Sequence, residues 1–257
     1  MSKEAAFYQT GEFFPRRTRY CVAIIVLNEG ERIKRQLGKM REWAPLADII
    51  LIDGKSTDGS THPDALARHG IRALLTVDEP GLSVATSVGF DYAAAQGYEG
   101  IITMDGNGKD GVEALPRFIK GLDEGFDLVQ GSRFMKGGIH KNTPWDRYVG
   151  IRFIMAPLLA LGSGFWYTDP TNAFRALSMR FLLDQRVQPL RKVFVRFGLQ
   201  HYLIYRAAKL GFNICEIPVS RVYPDDGTIP TKIVGWKLKF LDLYELIETI
   251  LGRFNPR

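Results

Sequence analysis

The 257-residue sequence predicts an α/β fold: a mostly parallel central sheet flanked by helices, with an embellished, helical C-terminal part. Three observations predict it. Short apolar runs alternate with stretches of helical periodicity through the first half, the rhythm of parallel strands joined by crossover helices. Two of those runs end on a carboxylate and a glycine, Ile49-Ile50-Leu51-Ile52-Asp53-Gly54 and Ile101-Ile102-Thr103-Met104-Asp105-Gly106. Such polar strand ends belong at the carboxyl edge of a sheet, where open α/β folds bind ligands. Finally, no repeat, low-complexity tract or linker interrupts the chain, so residues 1–257 read as one domain. About 20–135 forms its ligand-binding half and about 136–257 a second half.

The elements follow in order. Residues 21–27 read as the first strand, and Ile33, Leu37 and Met40 mark a helix over 31–43. The strand ending at Ile52 leads through Ser, Thr and Asp residues to a helix near 63–69. A strand over 71–77, a small-residue helix over 83–96 and a strand over 101–104 come next. A helix near 112–123 precedes a fifth strand over 127–130. Beyond Gly131 the rhythm changes: a Gly-rich loop over 136–144, a mostly apolar helix over 145–161, a helix over 194–210, a strand over 214–223 and a last helix over 236–254.

Composition bounds the class. Apolar residues make up 46% and charged residues 24%, which is ordinary for a globular chain. The net charge of +6 suits anionic partners. No nucleic-acid recognition motif accompanies it, so nucleic acid is not an expected partner. Cys21 and Cys215 lie in apolar runs and form no disulfide framework, and the four histidines show no zinc spacing. With no signal-like apolar core near residue 1 and no run of about 20 apolar residues, a cytoplasmic protein is the expectation.

A literal G-x-G-x-x-G occurs at Gly106-Asn107-Gly108-Lys109-Asp110-Gly111. It sits on the fourth strand, follows a carboxylate, and is not followed by a strand ending in an acidic residue; all three argue against a dinucleotide site. A divalent ion between Asp105 and a diphosphate makes better chemical sense, since oxygen ligands at a strand end can hold Mg²⁺ or Mn²⁺. The ordered set Asn28-Glu29, Asp53 through Asp58-Gly59, Gly81 to Ala85, Asp105-Gly-Asn107 and Gly131-Ser132-Arg133-Phe134 resembles the family-2 glycosyltransferases of GT-A fold. Asp169-Pro-Thr-Asn172 and Glu216-Ile-Pro218 extend the likeness, which is strongest to the dolichol-phosphate mannosyltransferase branch and covers about 20–235.

The resemblance implies an inverting transferase that moves a sugar from a nucleotide-diphosphate donor to a polyprenyl-phosphate or glycan acceptor. It implies that Asn28, Glu29, Asp53 and Asp58 line or brace the nucleotide pocket. Asp105 and Asn107 would hold the metal, while Arg133 and Lys232 would face the departing diphosphate. Asp169 is the expected base for a hydroxyl acceptor; a lipid phosphate is already anionic and would leave it an orienting role. Departures from the family pattern matter. Gly54 stands where a second carboxylate is usual, and Asp105-Gly-Asn107-Gly-Lys109 replaces Asp-x-Asp with a following Gln. Two readings follow: a weakened metal site helped by Asp110, which is the favoured one, or a Lys109 ammonium that supplies part of the metal's charge. A segment from Arg221 to Lys232 looks like a stretched basic lid, with Lys232 the safer assignment and Arg221 doubtful.

The helices over 145–161 and 236–254 border broad apolar faces with Arg147, Arg152, Lys237, Lys239 and Arg253. Such faces pack on a core, meet a second copy as a homodimer, or dock peripherally at the inner face of a membrane. Two rival functions remain. A sugar nucleotidyltransferase would need a Gly-rich Thr-Arg loop after the first strand, which Asn28-Glu29-Gly30-Glu31 lacks. A nucleotide-sugar-binding module with an eroded metal motif would bind donor without turnover.

Overall fold

The computed structural model describes residues 6–230, 233 and 235–256. The chain enters through an edge strand, β1 (Tyr8–Glu12), and then β2 (Tyr20–Val26), whose side chains are almost all buried on both faces. The helix α1 (Glu31–Met40) buries Ile33, Leu37 and Met40, the apolar stripe its spacing predicts. Strand β3 (Asp48–Asp53) is buried throughout, as a strand covered on both faces should be. A short α2 (Pro63–Ala67) leads to β4 (Ile71–Val77), and α3 (Leu82–Ala95) follows. Gly89 lets α3 approach closely, because a Cβ there would lie 2.6 Å from Ile52 Cδ1. Strand β5 (Gly100–Asp105), helix α4 (Leu115–Asp123) and β6 (Leu128–Ser132) complete the first half.

The second half is less regular. The predicted Gly-rich loop contains β7 (Ile139–Lys141), which pairs in parallel with a later strand. The predicted helix over 145–161 is α5 (Trp145–Val149), a wider π turn over Gly150–Met155, and α6 (Ala156–Ser163). Pro157 removes an amide donor where the ordinary helix would need it. A strand that the sequence did not predict, β8 (Arg175–Ser178), precedes α7 (Met179–Leu182) and α8 (Gly198–Lys209). The single late strand expected over 214–223 is two, β9 (Ile214–Pro218) and β10 (Ser220–Val222). The break lies at Pro218-Val219, where Val219 donates its amide to Ser132 and accepts from Ile139, so the chain passes from one sheet to another. The last helix is α9 (Gly235–Ile250).

The main sheet runs β1-β4-β3-β2-β5-β8-β6-β9. Its β4-β3-β2-β5 portion is parallel, and β6 pairs parallel with β9. Strand β8 is antiparallel to both β5 and β6, and β1 antiparallel to β4. Alternation along each strand divides the core in two. Ala23, Ile50 and Ile52 face α3 and α8, whereas Val22, Ile24 and Leu51 face Ile33, Leu37 and Phe118. In consequence β2, β3 and β5 deliver Asn28, Asp53 and Asp105 to one sheet edge.

Candidate active site

Two loops at that edge fasten each other. Asn28, at φ 52°, donates its amide to Ser56 Oγ at 2.9 Å and accepts from the Thr57 amide at 2.7 Å. Asp58 accepts from the Gly30 amide at 2.7 Å and from Ser60 Oγ at 2.6 Å. Slight burial works against the Asp58 charge, but the Ser60 and Gly30 donors outweigh it and lower its pKa. Asp53 is committed inward: Oδ1 accepts from the Ser56 amide and hydroxyl at 2.9 and 2.6 Å, and Oδ2 from Thr61 Oγ1 at 2.9 Å. These bonds tie the loops after β2 and β3 to each other. Glu29 is buried, pairs with Arg32 at 2.9 Å, and borders the cleft itself.

At the end of β5 the chemistry is denser. Asp105 Oδ2 accepts from Arg221 Nη2 at 2.8 Å and from Asn107 Nδ2 at 3.2 Å. Arg221 Nη1 donates to Asp110 Oδ1 at 2.5 Å and to Asn172 Oδ1 at 3.2 Å. Burial opposes the Asp105 carboxylate, yet Arg221 and then Lys109 hold its pKa below the ordinary value. Burial likewise opposes the Arg221 charge, and Asp110 and Asp105 outweigh it. Lys109 is buried beside them, donating to the Pro230 carbonyl at 2.7 Å with its ammonium 4.9 Å from the Tyr223 ring centre. Burial, then the Arg221 charge, push its pKa down to about 7.

At the expected cation site the side chains of Asp105 and Asn107 already have protein partners. Asn107 turns its amide nitrogen, a donor, toward Asp105, while its oxygen accepts from the Lys109 amide at 3.3 Å. Asp110, the expected helper, is spent on Arg221. Among the described residues no three His, Cys, Asp or Glu side chains gather closely enough to hold a metal ion. Asp105, Asn107 and Asp110 are thus engaged with one another, with the Lys109 amide and with Arg221.

Asp169 also stands otherwise than a free base would. It is fully buried, and Arg133 engages both of its oxygens, Nε to Oδ2 at 2.6 Å and Nη2 to Oδ1 at 3.0 Å. The segment before it is pinned by Glu216, which accepts from the Thr168 amide and hydroxyl at 2.9 and 3.0 Å. Asp169 therefore fixes the guanidinium that faces the cleft.

A cleft of about 730 Å³ gathers Glu29, Asp105, Asn107, Lys109, Arg133 and Arg221 on its sheet side. Its opposite walls come from α5, the π turn and α9 and carry Trp145, Ile154, Trp236, Phe240 and Leu243. Lys239 on α9 pairs with Asp146 on α5, and Arg147 donates to the Ile233 carbonyl at 3.0 Å. Of the expected residues, Asn28, Asp53, Asp58 and Asp169 do not line this cleft; Lys232 lies outside the described residues. Two features escaped the sequence reading. Arg221, set aside for its spacing, is the centre of the charge cluster. His201 on α8 meets Asp242 on α9 at 2.8 Å within the cleft, a pair 41 positions apart that no motif announces. Two of the G-x-G-x-x-G glycines lie in close quarters, where a Cβ on Gly106 would lie 2.9 Å from the Ile25 carbonyl and one on Gly111 1.9 Å from Ser220 Oγ, while Gly108 adopts a φ of 75°.

Sheet order and site together define a mixed α/β scaffold with a charged cleft at its strand ends. Residues 21–182 match the glycosyl transferase family 2 profile, and the chain belongs to that family; it is a glycosyltransferase. It is similar to polyprenol monophosphomannose synthase of Mycolicibacterium smegmatis, 29% identical over 79% of this chain and 77% of that protein. Undecaprenyl-phosphate mannosyltransferase of Micrococcus luteus is 29% identical over 79% of this chain and 84% of its own length. Among solved structures, glucosyl-3-phosphoglycerate synthase of Mycobacterium tuberculosis, in complex with Mn²⁺, UDP and phosphoglyceric acid, superposes with a TM-score of 0.66. That match covers 93% of this chain and 79% of the other at 16% identity, a likeness of fold alone.

Proposed function

We propose that this glycosyltransferase moves a sugar from a nucleoside-diphosphate donor onto a polyprenyl phosphate, with inversion at the anomeric carbon, at a membrane surface. One observation carries the reading: a single cleft joins a charged floor at the strand ends to a mouth framed by exposed apolar side chains. Trp145 is 75% exposed, Trp236 68% and Phe240 65%. A globular surface seldom leaves so many large rings to water without a partner. Lys237 and Arg152 flank them, which suits an anionic interface. The names of the two mannosyltransferase relatives support the same acceptor class. Among the described residues no helix is long and apolar enough to cross a membrane.

The step needs little from the protein beyond placement and charge. An oxygen of the acceptor phosphate attacks the anomeric carbon as the bond to the donor's diphosphate oxygen breaks, and the electron pair leaves with the nucleoside diphosphate. The nucleophile is already anionic, so no proton has to be removed, in keeping with an Asp169 locked onto Arg133. Arg133 meets the incoming or departing phosphate with a preorganised guanidinium. Asn28, Asp53 and Asp58 keep the nucleotide wall in shape.

Vesicles containing polyprenyl phosphate, the purified chain and a panel of GDP-, UDP- and dTDP-sugars test this reading. The expected product is an acid-labile sugar in the organic phase, of opposite anomeric configuration to the donor. Sugar appearing only on glycan hydroxyls, or donor bound without turnover, would refute it.

A further inference from the structure

In the fold to which this chain belongs, a strand-end acidic motif ordinarily presents a cation to the donor's diphosphate. Here the acidic groups are already occupied. The Arg221 guanidinium spans Asp105 at 2.8 Å and Asp110 at 2.5 Å. Its position is set by backbone pairing rather than by a loose arm. Gly111 donates to the Ser220 carbonyl at 3.0 Å and Val222 to the Lys109 carbonyl at 2.9 Å, which puts Asp110 directly across from Arg221. On its other side β10 pairs with β7. A Cβ on Gly111 would lie 1.9 Å from Ser220 Oγ and 2.1 Å from Glu113 Oε1, so both side chains would have to turn aside.

Charge counting makes the same point. With Lys109 protonated, as a bound diphosphate would favour, Asp105 and Asp110 bring two negative charges and Arg221 and Lys109 two positive ones. A pair of carboxylates holding one divalent ion has the same sum. An added divalent ion would sit against a guanidinium with no charge left to hold it, or would have to expel a buried arginine from two carboxylates. Arg221 also retains a buried Nε–H with no partner among the described residues, a donor still to be satisfied. Asn107 presents a donor where the motif ordinarily presents an oxygen ligand.

We propose that Arg221 and Lys109 together take the place of the divalent cation, countering the donor's diphosphate and the charge that develops as it leaves, so that this chain binds and uses its donor without metal. This rests on the nucleoside-diphosphate-sugar reading above and specifies how that site handles charge.

The test is donor binding, by calorimetry and thermal shift, with GDP-mannose, UDP-glucose and dTDP-glucose, in EDTA and in about 1 mM Mn²⁺. The donor that binds should do so with affinities equal within about threefold in the two conditions, and the spin-resonance signal of free Mn²⁺ should be undiminished by the protein–donor complex. Binding that needs Mn²⁺ would overturn this inference and leave the transferase reading intact; no donor binding in either condition would overturn both. Arg221→Gln, checked for folding by circular dichroism, should lose more than about tenfold in donor affinity in EDTA, and an unchanged affinity in the folded variant would contradict its role. If Arg221→Gln does not fold, Lys109→Met removes the second charge while leaving the carboxylate–guanidinium pairing in place, and the same loss or its absence decides.

Discussion

Two strand ends in this molecule look alike in sequence and behave differently in space. Asp53 closes β3 and Asp105 closes β5, each followed by a glycine. Asp53 is satisfied within eight residues, by Ser56 and Thr61 of its own loop. Asp105 is satisfied from 116 positions away, by Arg221. The first carboxylate ties down its own loop; the second anchors a charge cluster that opens on the cleft. An acidic strand end is thus a structural brace where local hydroxyls saturate it and a chemical site where a distant charge does.

Substitutions can break that contrast. The largest effect is expected for Asp105→Ala, which frees Arg221 from one partner and misplaces the cationic cluster; transfer should fall by about a thousandfold with the circular dichroism spectrum unchanged. Near-normal turnover would erase the distinction between the two ends. Next, Arg133→Ala leaves Asp169 buried and uncompensated, at a cost of about 3–5 kcal/mol in urea unfolding. The double variant Arg133→Met with Asp169→Asn should recover much of that stability without recovering transfer. Asp53→Ala removes the acceptor for Ser56 and Thr61 and should cost about 1–3 kcal/mol while transfer survives within about tenfold. A loss of transfer as deep as that of Asp105→Ala would make Asp53 part of the chemistry.

The smallest effect sharpens the electrostatic side. Lys109 has a folded pKa of about 7 against an ordinary 10.5, so as pH rises through that window the unfolded chain holds the proton the folded chain has given up. Stability from this group therefore increases with pH between the two values. Compared with Lys109→Met, the wild type should gain on the order of 1 kcal/mol from pH 7 to pH 10 in denaturant titrations. Parallel pH profiles for the two proteins would show that burial does not strain this lysine.

Local pattern decided what could be read from the sequence. The strands ending at Val26, Asp53 and Asp105 announced themselves as continuous apolar runs, and the loop chemistry around Asn28 and Asp58 follows from short-range hydroxyl and amide spacing. Strand β8 did not, because Arg175-Ala-Leu-Ser is four residues long and begins on a buried arginine that donates to the carbonyls of Asn172 and Gln200. The split of β9 from β10 hinged on one proline and a change of sheet. The Arg221 partnership depends on a register between residues 110 and 221 that no periodicity records. The same holds for His201 and Asp242, brought together only by the packing of α8 against α9. The apolar faces of the helices flanking the cleft were visible as composition, but which of their residues meet water was a tertiary fact. In α9 only Leu246 and Thr249 are buried, whereas Trp236, Phe240 and Tyr244 are exposed.

The most direct measurement is a crystal structure of the chain with its stabilising nucleoside-diphosphate sugar, grown in EDTA. The account predicts diphosphate oxygens within about 3 Å of Lys109 and Arg221, the sugar directed toward Arg133, and the nucleoside against the wall braced by Asn28 and Asp53. A donor seated elsewhere, with the strand-end cleft empty, would contradict it.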